Sequence, residues 1–394
     1  MDIKSFCKEL ELELHESILD YWIKNTLDEV NGGFVGQITY DNIINPEADK
    51  GCILNSRILW SFSAACHMFK RKEYLAMADR AYDYFINHFI DNQYGGTYWM
   101  LNSKGEPVDD SKQVYGQVFS IYGLSTYYQA TNNEEALRKA IDLYYLVEKH
   151  SYDSQKDGYM DAFSRTWEAT DYSMINPSGP ISPKTMNTHL HVLEAYTQLY
   201  RVWQDEGLKK QLKGLIRIHL DKIINKDTNH FDLFFERDWN PTSDIISFGH
   251  DIEGAWLMNE AAEVLGQESL IKEVQQAALK MADAVLKEGI APDGSLLHEG
   301  QDNKIIDSDR HWWPQAEAMV GFVDAYQKTG NEKYLNAAQK VWGFIKKHLM
   351  NPTGEWYWSV DENYTKNTVD DKAGPWKAPY HNSRACMEII HRLK

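Results

Sequence analysis

Three stretches of this chain place histidines beside carboxylates and tryptophans where helices are expected to start. In Ser247-Phe248-Gly249-His250-Asp251-Ile252-Glu253-Gly254-Ala255-Trp256-Leu257, the residues His250, Glu253 and Leu257 fall at i, i+3 and i+7, on one face near a helix start. A carboxylate so placed favours the charged imidazole and fixes its orientation, a pairing suited to moving protons. The same spacing also fits a histidine cap followed by a surface glutamate. In His311-Trp312-Trp313-Pro314-Gln315-Ala316-Glu317, Pro314 suits a first helical turn and Trp313 lies one turn before Glu317. That is either a ring-stacking platform beside a hydroxyl acceptor or ordinary packing. Trp376-Lys377-Ala378-Pro379-Tyr380-His381-Asn382-Ser383-Arg384 repeats the theme, with His381 following a proline loop.

Further candidates are less specific. In Lys184-Thr185-Met186-Asn187-Thr188-His189-Leu190-His191-Val192-Leu193-Glu194, the two histidines are i and i+2. They point about 200° apart on a helix, so only one can face a given cavity. Asn187 and His191, at i and i+4, can share one. No third ligand stands at a metal-site spacing, so no metal is expected. Arg57 interrupts the apolar run Asn55-Ser56-Arg57-Ile58-Leu59-Trp60, as either a salt-bridged structural residue or an anion-stabilising group. Tyr115, in Gln113-Val114-Tyr115-Gly116-Gln117, reads as a core residue on its own evidence. There is no GxSxG elbow, no P-loop, and no GxGxxG leading into a βαβ unit.

What must position these residues is a helical repeat. Glu73 to Phe89, EYLAMADRAYDYFINHF, shares its frame with KYLNAAQKVWGFIKKHL, aligning Tyr74 with Tyr334, Ala78 with Ala338 and His88 with His348. A third copy places Leu137, Ala140 and His150 in register. Each helix is followed by a turn ending in glycine and an aromatic or apolar residue, at Gly33, Gly96, Gly158, the degenerate His230, Gly294 and Gly354. Leu270, Val274, Ala277, Ala278, Met281 and Ala282 recur at amphipathic-helix steps. Six units of about 65 residues, each with room for two helices, predict an all-α (α/α)6 barrel of six hairpins with short β turns on one rim. Length alone suggests two or three domains. The repeat replaces them with one catalytic domain spanning 1–394.

A net charge of -17, without a basic cluster, argues against a nucleic-acid partner. A hydrophobic fraction of 43% with 25% charged residues is enough to bury a large core. The 4 cysteines form no CxxC pair, which fits a reducing compartment. The N-terminal stretch lacks an apolar h-region and no window carries 18 uninterrupted apolar residues, so a cytoplasmic, unanchored chain is expected.

Taken together, these segments resemble the N-acylglucosamine 2-epimerase superfamily, most closely its disaccharide-epimerising branch. The likeness runs from Lys50-Gly51-Cys52-Ile53-Leu54-Asn55-Ser56-Arg57-Ile58-Leu59-Trp60 to Trp376–Arg384, and its Asn-Thr-His-Leu-His-Val-Leu-Glu and Gly-His-Asp-Ile-Glu runs are specific in combination. The resemblance implies an (α/α)6 barrel, no cofactor and no metal. It also implies a small-molecule substrate, a reducing β-1,4-disaccharide such as cellobiose or lactose, whose reducing-end glucose is epimerised at C2. His381 matches the histidine that exchanges the C2 proton, His250 its partner on the other face, and His191 a third essential histidine. Arg57 is the cation for a cis-enediolate. Tyr115, Asn187, Glu253, Trp313, Glu317 and Trp376 match positions that hold the sugar.

On this reading one of His381 and His250 is neutral and the other protonated, with Glu253 orienting His250. Trp313 and Trp376 stack on the sugar while Glu317 binds hydroxyls. Residues 164–183 form a loop over the second sugar, and the chain is expected to be a monomer. Enediolate protonation at C1 would add some aldose–ketose isomerisation. The competing readings are a monosaccharide epimerase or isomerase, a glycoside hydrolase using Glu253 and Glu317, and a non-catalytic sugar-binding protein.

Overall fold

The computed structural model describes residues 1–170, 173–174 and 182–394. Its first arm runs from α1 (Ile3–Leu12) through a π-helical stretch (Glu13–Leu19) into α2 (Asp20–Asn25). The Asp2 carboxylate starts it by accepting from the Ser5 backbone N–H, satisfying a donor that no helical carbonyl can reach. Five hairpins follow. They are α3 (Cys52–Phe69) with α4 (Lys72–His88), α5 (Val114–Thr131) with α6 (Glu134–His150), and α7 (Met186–Val202) with α8 (Glu206–Ile218). The last two are α9 (Phe248–Leu265) with α10 (Glu268–Glu288) and α11 (Trp312–Thr329) with α12 (Glu332–Phe344). Four of the reversals use a left-handed residue, Lys70, Asn132, Gly266 or Gly330, which caps the last helical turn and turns the chain sharply.

The helix α13 (Tyr380–Leu393) packs on both α11 and α3, so the row α3, α5, α7, α9, α11, α13 closes into a ring, with α1 outside α13. This is the (α/α)6 barrel that the repeat predicts. Its core lies between the inner and outer rings. Outer helices bury one face, as α10 does with Leu270, Val274, Ala278, Met281 and Ala282. Inner helices are enclosed on nearly every side, and α5 is buried continuously from Val114 to Tyr127. Where inner helices touch, there is no room for a side chain. A Cβ on Gly123 would stand 2.8 Å from the Ser56 carbonyl, and one on Gly321 would stand 2.7 Å from that of Ile252.

Short strands stitch one rim together. The residues just before each inner helix pair with those following the next turn, as in Lys50–Gly51 with Met100–Leu101, Lys112–Gln113 with Ala162–Phe163, and Lys184–Thr185 with Phe234–Phe235. Ile246–Ser247 with Glu299–Gln301 and Arg310–His311 with Ser359–Val360 continue the pattern, and the Ile38–Ala373 bridge closes the circle. The turns themselves recur with one register difference. Equivalent backbone bonds end on the carbonyls of Gly33, Gly96, Gly158, His230, Ser295 and Glu355. The last two units therefore align one residue after Gly294 and Gly354, because their turns place the left-handed residue differently.

Buried ion pairs lock these turns to the helix starts. Lys50 meets Asp28 at 2.7 Å, Lys112 meets Asp91 at 2.9 Å, Lys184 meets Asp153 at 3.3 Å and Lys377 meets Glu355 at 3.3 Å. In the fourth unit, His230 and Asp251 at 2.7 Å take over the role. Removing one partner of such a pair strands the other charge away from water. Lys377→Met, at a pair with both side chains 0% exposed, is expected to cost about 3–5 kcal/mol in urea unfolding. Lys333→Met, which breaks the exposed 2.6 Å pair with Asp283, is expected to cost about 1 kcal/mol or less. Equal losses would contradict a structural role for the rim pairs.

Candidate active site

The residues singled out in the sequence converge on the strand-bearing rim, within the first two turns of the six inner helices. Arg57 lies on α3, Tyr115 on α5, Asn187 and His191 on α7, His250 and Glu253 on α9, Trp313 and Glu317 on α11, and His381 on α13. Trp376 comes from the loop leading into α13, 5.8 Å from the Tyr115 ring and 5.8 Å from that of Trp99. Because each of these inner helices begins at this rim, their amino-terminal N–H groups and dipole ends lie on the same side of the barrel.

Beneath the histidines lies a buried charge cluster. Arg384, 1% exposed, donates Nη1–H to Glu194, and Nη2–H to both Glu253 and Glu317, the last at 2.7 Å. The Tyr380 hydroxyl also donates to Glu194. Each carboxylate then supports a neighbour. Glu194 Oε2 is 2.8 Å from His191 Nδ1, Glu317 Oε1 is 2.7 Å from His381 Nδ1, and Glu317 Oε2 accepts from Trp256 Nε1 at 3.1 Å. With Nδ1 of His191 and His381 engaged, each ring presents Nε2 away from its carboxylate.

Burial pushes Glu194 up, but the Arg384 guanidinium and the His191 contact outweigh it and hold that carboxyl well below the usual range. Glu253 is pushed up to about 7 by burial and by the nearby Glu317 carboxylate, and Glu317 is raised chiefly by burial. One guanidinium, that of Arg384, thus serves three carboxylates, two of which are raised.

Above this layer, Arg57 donates from Nη2 to the Tyr115 hydroxyl at 3.0 Å and lies over the rings of Phe119 and Tyr380, with centroids at 4.4 and 4.8 Å. The Trp313 ring stands 4.6 Å from His250 and 5.6 Å from His381, so one flat apolar face borders both imidazoles. His381 is held well below its ordinary value by burial, then by Arg57 and Arg384. Burial, with smaller contributions from His191 and His298, takes His250 down to about 3. The Asn187 amide oxygen is buried and has no partner among the described residues, leaving an acceptor one turn before His191.

The geometry corrects three expectations. His250 is oriented by Ser247, whose Oγ is 2.7 Å from Nδ1, whereas Glu253 is committed to Arg384. Glu253 and Glu317, 1% and 0% exposed, both hold Arg384, and Glu317 also holds the His381 ring, commitments that the expected sugar-binding roles did not include. The protonated imidazole that was expected is disfavoured, because burial lowers His250 and His381 alike. His189 faces away from this space, between the Thr185 carbonyl and the Tyr159 N–H, as its two-residue offset requires. Glu253, Glu317 and His381 also have ligand atoms close together, but the Arg384 guanidinium already supplies the cation there. The expected loop at 164–183 lies partly outside the described residues.

Glu194 and Arg384 escaped the sequence reading. The signal was present: His191-x-x-Glu194, His250-x-x-Glu253 and His381-x-x-Arg384 share one spacing.

Comparison with known proteins agrees with this architecture. Residues 32–385 match the family model described as N-acylglucosamine 2-epimerase. A cellobiose 2-epimerase of Bacteroides fragilis is 46% identical over 385 residues, covering 97% of this chain and 98% of that protein. The structure of cellobiose 2-epimerase from Bacillus thermoamylovorans superposes with a TM-score of 0.95 at 42% identity, covering 99% of this chain and all of its own. A D-mannose isomerase structure shares the fold, with a TM-score of 0.84 at 22% identity and coverage of 98% of this chain and 97% of that one. The chain belongs to the N-acylglucosamine 2-epimerase family.

Proposed function

We propose that the chain is an isomerase that reversibly epimerises C2 of the reducing-end glucose in β-1,4-linked disaccharides, converting cellobiose to glucosyl-mannose and lactose to epilactose. The observation that carries the reading is the Trp313 ring beside both the half-buried His250 and the buried His381, with Arg57 acting on His381 and burial favouring the neutral form of both imidazoles. Similarity to cellobiose 2-epimerases along nearly the whole chain supports the disaccharide as substrate. The whole span 1–394 acts as one catalytic unit.

In the opened sugar, the C2 proton is acidified by the neighbouring aldehyde. A neutral imidazole removes it, giving a cis-enediolate whose negative charge meets Arg57 and the amino ends of the inner helices. Return of a proton to C2 from His381 Nε2, on the opposite face, inverts the centre, while the protonated Glu317 carboxyl replaces that proton at His381 Nδ1. The abstracted proton leaves the first imidazole, restoring its starting charge, and His381 can exchange protons through its contact with Glu317. Protonation at C1 instead gives the ketose as a minor product. Trp313 and Trp376 hold the sugar by stacking, and Asn187 and Tyr115 meet its hydroxyls.

A hydrolase needs two carboxyl groups about 5–10 Å apart, flanking a scissile bond. Glu253 and Glu317 instead share one Arg384 nitrogen below the pocket.

Incubation with cellobiose, lactose, mannose and N-acetylmannosamine side by side tests the reading. Epimers of the first two are expected as main products. Turnover of monosaccharides alone would reject the disaccharide assignment, and free glucose from cellobiose would indicate hydrolysis. His381→Asn and His250→Asn are each expected to lower kcat by about 10²–10⁴-fold with an unchanged circular dichroism spectrum; near-normal turnover would remove that histidine from the mechanism. Because burial holds both imidazoles neutral, kcat/KM should stay on its plateau as pH falls through about 6.5 and turn down only below it. A limb centred at the solvated-histidine value would contradict the buried-base account.

A further inference from the structure

A second group of histidines lies outside the proposed machinery. His298 precedes the strand Glu299–Gln301, Asp307 ends its partner strand Lys304–Asp307, and His311 caps α11. The two strands are antiparallel neighbours with Glu299 opposite Asp307, and the His298 N–H donates to the Asp307 carbonyl at 3.3 Å. That ladder brings residues from two strands and a helix start to one point. The imidazole centroids of His298 and His311 are 4.2 Å apart, tilted by 30°. One ligand atom from each of the three side chains lies within 4.8 Å of the others.

We propose that His298, Asp307 and His311 bind a divalent transition-metal ion, such as Zn2+ or Co2+, on the rim of the pocket. Two imidazoles and one carboxylate are a donor set that such borderline ions favour. Bonds of about 2.0–2.2 Å at tetrahedral angles set ligand atoms roughly 3.4 Å apart, so rotations of these half-buried side chains complete the site. His298 Nδ1 is buried without a partner among the described residues, and its Nε2 lies 3.9 Å from Glu299. A backbone N–H, that of Asp309, donates to Asp307 Oδ1 at 2.9 Å and fixes the carboxylate.

The surroundings favour a cation. Asp307 and Asp309 act on His298, and Asp307 and Asp370 on His311. The neighbouring Arg310 is turned aside toward Ser295, the Ser308 carbonyl and Asp293. Burial holds both imidazoles below their ordinary values, with the two rings reinforcing each other at His298, so their lone pairs are available near neutral pH. A bound ion would tie the hairpin to the start of α11, and the His298 ring is 6.2 Å from that of Trp313.

The test is titration of the chelator-treated full chain with Co2+. Visible d–d absorption saturating at about one ion per chain, and displaced by Zn2+, is expected. His298→Gln and His311→Gln should each abolish it, Asp307→Asn should weaken binding by about tenfold or more, and His391→Gln, at a histidine remote from the group, should bind normally. Zn2+ should raise the melting temperature of the wild-type chain and leave those of the first two variants unmoved. Lack of saturable absorption in the wild type would overturn the site. So would His298→Gln and His311→Gln proteins that melt cooperatively and bind Co2+ as the wild type does.

Discussion

The contact on which the rest depends is the one between the buried guanidinium of Arg384 and three glutamates from three other inner helices. Arg384 sits on α13, while Glu194, Glu253 and Glu317 sit on α7, α9 and α11. Removed from water, three carboxylates in such proximity repel strongly, and neither they nor the arginine could be buried alone. Together they bind the last helix to three earlier ones and so help close the ring. The same carboxylates orient His191 and His381. Closure of the fold and aim of the proposed base are therefore one structural event, and the aim is as rigid as the barrel.

Above that layer the electrostatics are arranged for an anion that exists only during reaction. Arg57 and the amino ends of the inner helices are fixed by packing before any substrate enters, so they need not reorganise as charge develops. Burial, then Arg57 and Arg384, hold His381 well below its ordinary value, which suits it to the proposed role of base. On the proposed mechanism the raised Glu317 carboxyl below supplies the proton that His381 returns. Base and cation lie in one layer, and the glutamates in the layer beneath.

How much of this could be read from the chain follows from burial. Outer helices such as α10 have one wet face, so their periodicity is written plainly. Inner helices are enclosed and carry almost no such pattern, yet the i, i+3 pairs at their starts are legible because polar residues stand out in an apolar run. Turns were legible where glycine supplies a left-handed backbone. They slipped by one residue in the last two units, where the glycine, Gly294 or Gly354, stands just before the residue whose carbonyl closes the turn, Ser295 or Glu355. The Arg384 cluster joins residues far apart in sequence, in the case of Glu194 and Arg384 by 190 positions. Only the closed ring brings such partners together. Glu253 was misplaced for the same reason: its distant arginine outcompetes the histidine one turn away.

The central claim is that two imidazoles on opposite faces of C2 transfer its proton. It is tested most directly by running the reaction on cellobiose in deuterated water and examining the epimer formed at low conversion. The account predicts deuterium at C2 of that product, because the proton delivered comes from a different, solvent-equilibrated imidazole than the one that removed the original. An epimer retaining its original C2 hydrogen would contradict it.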